Sequence, residues 1–246
     1  MTQLRPRFLP PYMALALGAV AALEGFVACW VVGAFRSWAP YSGAVPLESL
    51  PHVLCGLAVV LAALIAPLIV RPDQKGRSAI VLSLFAALWQ GAVFGYFMMV
   101  AARLVPIEPS GIFLASVWIA LFAFCCLSLA QTLPSAYAGI AFIWVVAVPV
   151  AGYMLVEIYL TSPAGSKGWQ PESTSAIYSF VHALLNISPG TAVAGVLDGY
   201  LPDGVPAAPA IPLAILGIVC AGTLCSFIWR ERKSRIAIDA QPKAAA

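Results

Sequence analysis

Six runs of roughly twenty apolar residues dominate this chain and limit its fold more than any other feature; they lie at about 12–35, 50–70, 78–104, 111–133, 135–160 and 211–229. A helix needs about 20 such residues to cross the ~30 Å hydrocarbon layer of a bilayer. Inside hydrocarbon every backbone N–H and C=O must be bonded within the protein, which allows helices or closed barrels. The runs are continuously apolar and do not alternate, so a β-barrel is not expected. Composition agrees: 62% of the 246 residues are hydrophobic and 9% are charged, against about 25% charged in an ordinary soluble domain. So few charges cannot cover a soluble sphere, which excludes a soluble enzyme, a nucleic-acid binder and a disordered chain. The expected fold class is all-α: a polytopic membrane protein, one transmembrane domain over 1–246 with six transmembrane helices.

Basic residues orient the spans. With the N-terminus in the cytoplasm, that side collects Arg5, Arg7, Arg71, Lys75, Arg77, Arg230, Arg232, Lys233, Arg235 and Lys243, whereas the far side holds only Arg36, Arg103 and Lys167. Lys and Arg accumulate in cytoplasmic loops, so both termini are expected inside, in a cell (inner) membrane. Glu48, Glu108, Glu172, Asp198 and Asp203 then fall outside. The first run is too long for a signal h-region and has no clear A-x-A exit, so it reads as a retained span. Spans two and three are joined by the charged turn RPDQKGR, and spans four and five by QTLPSA, short enough for a tight hairpin.

The six cysteines, at 29, 55, 125, 126, 220 and 225, all lie in apolar runs without CxxC spacing. They read as small polarizable packing residues. Two histidines, His52 and His182, are too few and too poorly placed for a bis-His haem or a zinc or copper site. No Ser/His/Asp set, catalytic carboxylate pair or HExxH is visible, so neither enzyme chemistry nor a cofactor is expected.

About fifty residues separate the fifth and sixth runs. After the loop-like TSPAGSKGWQPES, apolar residues recur at Ile177, Phe180, Val181, Leu184 and Leu185, the spacing of an amphipathic helix capped by Ser173 or Thr174. Asn186 and Ser188-Pro189 break it. Ser188 can cap a second helix with Pro189 at its first position, where a missing N–H is harmless. That helix would carry Val193, Val196, Leu197, Tyr200 and Leu201, with Gly199, Pro202, Asp203 and Gly204 to stop it. The expectation is a broken pair of short outer helices, about 173–201, at or dipping into the outer leaflet, followed by the sixth span and a basic cytoplasmic tail, 230–246.

This arrangement resembles the permease subunit of type-2 ABC exporters. The resemblance rests on the N-in/C-in six-span pattern, on the outer excursion with NISPGTAVAGVL (Asn186 to Leu197) after the fifth span, and on the basic RERKSR after the sixth. It implies a permease that forms a translocation pathway with a second copy or a homologue, as homodimer or heterodimer, while a separate cytosolic ATPase subunit hydrolyses ATP. The chain has no GxxxxGK[ST] phosphate loop of its own. The resemblance further implies that Arg71, Asp73, Lys75 and Arg77 form part of the ATPase-docking surface; orientation alone would also account for these charges. His182, Asn186, Ser188 and Pro189 mark the outer broken-helix element. The chain departs from the family in lacking room for an amphipathic elbow helix before span one, and in lacking a Glu-Arg-rich run between spans two and three.

Ionisable and amide groups inside the spans are the remaining site candidates, because lipid disfavours them unless they are paired or hydrated. Glu24 is mid-span in the first helix with no Lys or Arg within a turn. Gln90 in the third span can bond across helices, and Gly91 and Gly95 beside it make a GxxxG pair that permits close helix approach. Glu157 lies near the outer end of span five, after Pro149 and Gly152, which can kink that helix and turn the carboxylate inward. Glu24, Gln90 and Glu157 are thus candidates for a translocation pathway or an interface. Two other functions fit the same features: a non-catalytic integral subunit that anchors or scaffolds a larger membrane complex, and a proton-coupled carrier or intramembrane enzyme using Glu24.

Overall fold

The computed structural model describes residues 50–70, 77–151 and 188–198 continuously, with scattered helical positions between Gly18 and Ala34 and shorter helical pieces between Ala214 and Lys233. Among the described residues all regular structure is helical, with no strand. Three helices are long and apolar enough to cross a membrane: α1 (Leu50–Ile69), α2 (Arg77–Ala101) and α3 (Pro109–Thr132). A shorter apolar helix, α4 (Tyr137–Ala151), and the ten-residue α5 (Pro189–Asp198) complete the continuous part; a helical stretch over Gly217–Ser226 follows. The second, third and fourth of the six runs coincide with α1, α2 and α3; α4 covers the first part of the fifth, and the rest of that run, most of the first and much of the last lie outside the described residues.

Helix ends follow local chemistry. Pro109 opens α3 at the position where its lost N–H matters least, after Glu108 in an extended conformation (φ −66°, ψ 139°). The Glu108 carbonyl takes the N–H groups of Gly111 and Ile112 at 3.0 and 3.2 Å. At the other end Leu133 precedes Pro134, which disfavours the helical region for it; its ψ is 57° and α3 stops. The Leu133 carbonyl accepts from Ala136 and Tyr137 (3.1 and 2.9 Å), so α4 begins after a four-residue turn, Leu133 to Ala136. The tight hairpin expected from QTLPSA is present.

Within α4 the backbone widens into a π-helical turn over Ile143–Ala147, and the Val148 N–H reaches back to the Ile143 carbonyl. Pro149 explains it in part. Its ring would collide with the Val145 carbonyl four residues earlier in a regular helix, and a π-bulge relieves such crowding. This π turn lies on the N-terminal side of Pro149; the expected kink at Pro149 and Gly152 that turns Glu157 inward falls largely outside the described residues.

The most extensive pairing is α2 on α3, and the Gly91-Gly95 stripe is the reason. A Cβ on Gly91 would lie 2.6 Å from the Ser116 carbonyl oxygen and 2.9 Å from the Ala120 Cβ; one on Gly95 would lie 2.6 Å from the Ser116 Oγ. Both glycines face the small residues Ser116 and Ala120, so the two backbones meet as small-xxx-small pairs do in membranes. Helix α1 packs mainly on α3, and the Phe122 and Trp144 rings stack edge to face at 5.5 Å between α3 and the π turn. The large apolar side chains on the outside, such as Leu68, Phe113 and Ile143, suit a lipid solvent. Near the end of the last run Lys233 lies 5.3 Å from the Trp229 ring, a pairing of aromatic and cation suited to the headgroup level.

Candidate functional site

The polar groups inside the bundle are few. Three of them bond to backbone carbonyls, and one of the three supplies a missing donor. Pro67, inside α1, has no N–H for the carbonyl of Ala63 one turn earlier. The Tyr137 hydroxyl of α4 donates to that carbonyl at 2.7 Å, and Tyr137 is only 4% exposed. Ser116 and Thr132 return their hydroxyls to carbonyls of their own helix, at Ile112 (2.7 Å) and Ser128 (2.9 Å).

Two carboxamides behave differently. Gln131 Nε2 on α3 donates to Ser83 Oγ on α2 at 3.0 Å, an interhelical bond in the buried part of the bundle. Gln90 does not make the cross-helix bond that its type suggests. It is 2% exposed, and neither its Oε1 nor its Nε2 has a hydrogen-bond partner among the described residues. The bridging role falls to Gln131 because it faces a hydroxyl, whereas the walls around Gln90 are Leu54, Leu61, Phe94 and Ile119. Those side chains, from α1, α2 and α3, line a partly open cavity of about 30 Å³ beside Gln90. Apart from Gln90 its lining is apolar, and both polar atoms of the carboxamide are buried, so the space does not hydrate the amide. Phe97, another wall of this cavity, abuts Gly25 of the first apolar run, with its Cζ 3.0 Å from where a Gly25 Cβ would sit.

Of the expected pair of short helices, only the second lies among the described residues. Helix α5 starts at Pro189 as expected, and Ser188 occupies the capping position: its carbonyl accepts the Ala192 N–H (3.1 Å) and the Thr191 hydroxyl (2.9 Å). Its apolar face is fully withdrawn, with Val193 and Leu197 at 0% exposure, packed on α1, α3 and the π turn. At Gly190 the helix comes close to α1, and a Cβ there would meet the Gly56 Cα at an ordinary contact distance of 3.9 Å. The short helix is therefore inserted against the bundle rather than laid on its surface.

Of the other expected site residues, Glu24, Glu157, His182, Asn186, Arg71, Asp73 and Lys75 lie outside the described residues. Arg77 is the first residue of α2. The structure brings Gln90 beside a cavity and Ser188-Pro189 into the bundle; it does not join these two places. Among the described residues no cluster of three His, Cys, Asp or Glu could hold a metal ion. Comparison with protein-family models, with curated proteins and with solved structures finds no match.

Proposed function

We propose that this chain is the permease subunit of an ATP-driven membrane transporter, crossing the inner membrane six times with both termini in the cytoplasm. It would form the pathway with a second permease copy or a homologue, and a separate cytosolic ATPase would dock at the turn that holds Arg71, Asp73, Lys75 and Arg77. The observation that supports the reading best is the seating of α5. A ten-residue helix opening at Ser188-Pro189 buries its apolar face between α1 and α3 just ahead of the last apolar run. The length of the three spanning helices is in keeping with it. In this reading Glu24 and Gln90 line the pathway or the interface between copies, and Glu157 gates the outer vestibule.

The deciding experiment purifies the tagged full-length chain from native membranes in mild detergent. A permease carries a phosphate-loop ATPase with it and alters that subunit's turnover in nanodiscs; R71A/K75A weakens the association. Recovery with redox or assembly subunits and no nucleotide dependence would support the anchoring or scaffolding role instead. Transport by the chain alone in liposomes under a proton gradient would make it a carrier. Unchanged transport and ATPase stimulation in Glu157→Gln would remove the gating role.

A further inference from the structure

The sulfurs of Cys125 and Cys220 approach to 2.8 Å, across ninety-five positions of sequence, and join α3 to the helical stretch Gly217–Ser226. The distance is well inside the ordinary separation of two non-bonded sulfurs and approaches, without reaching, the ~2.05 Å of a disulfide. Both residues are thiols in the structure. Their surroundings differ. Cys125 is wholly buried in the bundle, whereas Cys220 is half-buried and directs its sulfur inward, where the Leu121 carbonyl of α3 lies 3.9 Å away. One member of the pair is thus partly accessible and the other is covered by the bundle.

We propose that Cys125 and Cys220 form an intramembrane disulfide site, closed by a lipid-soluble quinone and tying α3 to the last apolar run. This goes beyond the proposed transport role and does not depend on it. The pair sits inside apolar helices, so a charged oxidant such as a glutathione disulfide does not reach it, while an apolar two-electron acceptor does. The Cys220 sulfur adds to the quinone ring, and its proton passes to a ring oxygen. The Cys125 sulfur then attacks the Cys220 sulfur; the S–S bond forms as the bond to the ring breaks. The electron pair leaves on the ring, and the Cys125 proton completes the quinol. Two thiols and one quinone give one disulfide and one quinol. Cys126, next in sequence, is buried, and Cys225 is exposed, so these two serve as internal controls for depth and accessibility.

The test uses the purified full-length protein in nanodiscs, reduced and then exposed to a short-chain ubiquinone analogue. The expected result is an intact mass lower by two hydrogens, and a non-reducing digest in which the Cys125 and Cys220 peptides travel together and separate on reduction. Maleimide labelling of both after unfolding falls to the background seen with C125S/C220S. C125S and C220S each abolish the mass change, whereas C126S and C225S keep it. The wild-type peptide map decides the matter even where a variant fails to fold. Cys125 and Cys220 both remaining open to maleimide after quinone treatment would overturn the proposal, as would a mass loss that maps to another pair.

Discussion

Removing the Tyr137 hydroxyl tests whether a side chain of α4 substitutes for the N–H that Pro67 lacks. The bond to the Ala63 carbonyl is short, 2.7 Å, and Tyr137 is 4% exposed, so no water or lipid group replaces it in Tyr137→Phe. A typical net hydrogen bond contributes about 1 kcal/mol, and a buried carbonyl left without a donor adds a penalty within about 1–3 kcal/mol. We expect Tyr137→Phe to destabilise by about 2 kcal/mol in the presence of Pro67. Pro67→Ala restores an N–H aimed at the same carbonyl, and in that background Tyr137→Phe should cost less than about 0.5 kcal/mol. The coupling of about 1.5 kcal/mol lies within the range measured for groups sharing one partner. Equilibrium unfolding in mixed micelles, followed by the near-ultraviolet signal of the tryptophans, reads the four corners of the cycle. Equal losses from Tyr137→Phe with Pro67 and with Ala at 67 would show that the hydroxyl is not compensating for proline.

The Gly91-Gly95 contact makes a contrast of the same kind. Gly95→Ala meets the Ser116 Oγ at 2.6 Å, and Ser116→Ala removes that obstacle, leaving the Cβ contact at 3.5 Å; the double variant should regain most of a loss of about 1–2 kcal/mol. Gly91→Ala meets the backbone oxygen of the same residue at 2.6 Å, so Ser116→Ala should not rescue its loss of about 2–3 kcal/mol; rescue there would refute the packing described. Ser83→Ala takes the hydroxyl from Gln131 Nε2 and should cost about 0.6 kcal/mol, the usual size of such bonds between membrane helices, measured by the same unfolding assay. Gln90→Leu removes a buried carboxamide with no partner among the described residues and should raise stability by about 1 kcal/mol or more; a fall of that size would show that the amide is paired in the folded protein.

The parts of this fold that were legible in the sequence are those decided by neighbours along the chain. Run length is enough to place α1, α2 and α3, because hydrocarbon thickness sets it. Leu133-Pro134 closes the α3–α4 hairpin by a steric effect of proline on the residue before it. Ser188-Pro189 opens α5 for the complementary reason. Gly91 and Gly95 announced a close helix approach but not its partner, since small residues occur on many faces. The partner, Ser116 with Ala120, became visible only when α2 met α3.

What the sequence left open depends on how each helix is rotated about its axis. Gln90 and Gln131 are the same residue type in similar apolar surroundings, yet one faces Ser83 and the other faces Leu54, Phe94 and a cavity. The carbonyl that Pro67 leaves without a donor came to light only in the structure, and nothing local points to Tyr137 as the group that supplies one. Cys125 and Cys220 read as packing residues for the same reason, because a pairing across α3 and the last run has no signature in spacing.

Polar groups in a hydrocarbon solvent must find partners, and most of those described here have a local or interhelical one: Tyr137 for the Pro67 gap, Ser116 and Thr132 for their own helices, Gln131 for Ser83. Gln90 breaks the pattern on both its oxygen and its nitrogen. A leucine would fill the same wall of the cavity without an amide to desolvate, so fold stability alone does not favour glutamine there.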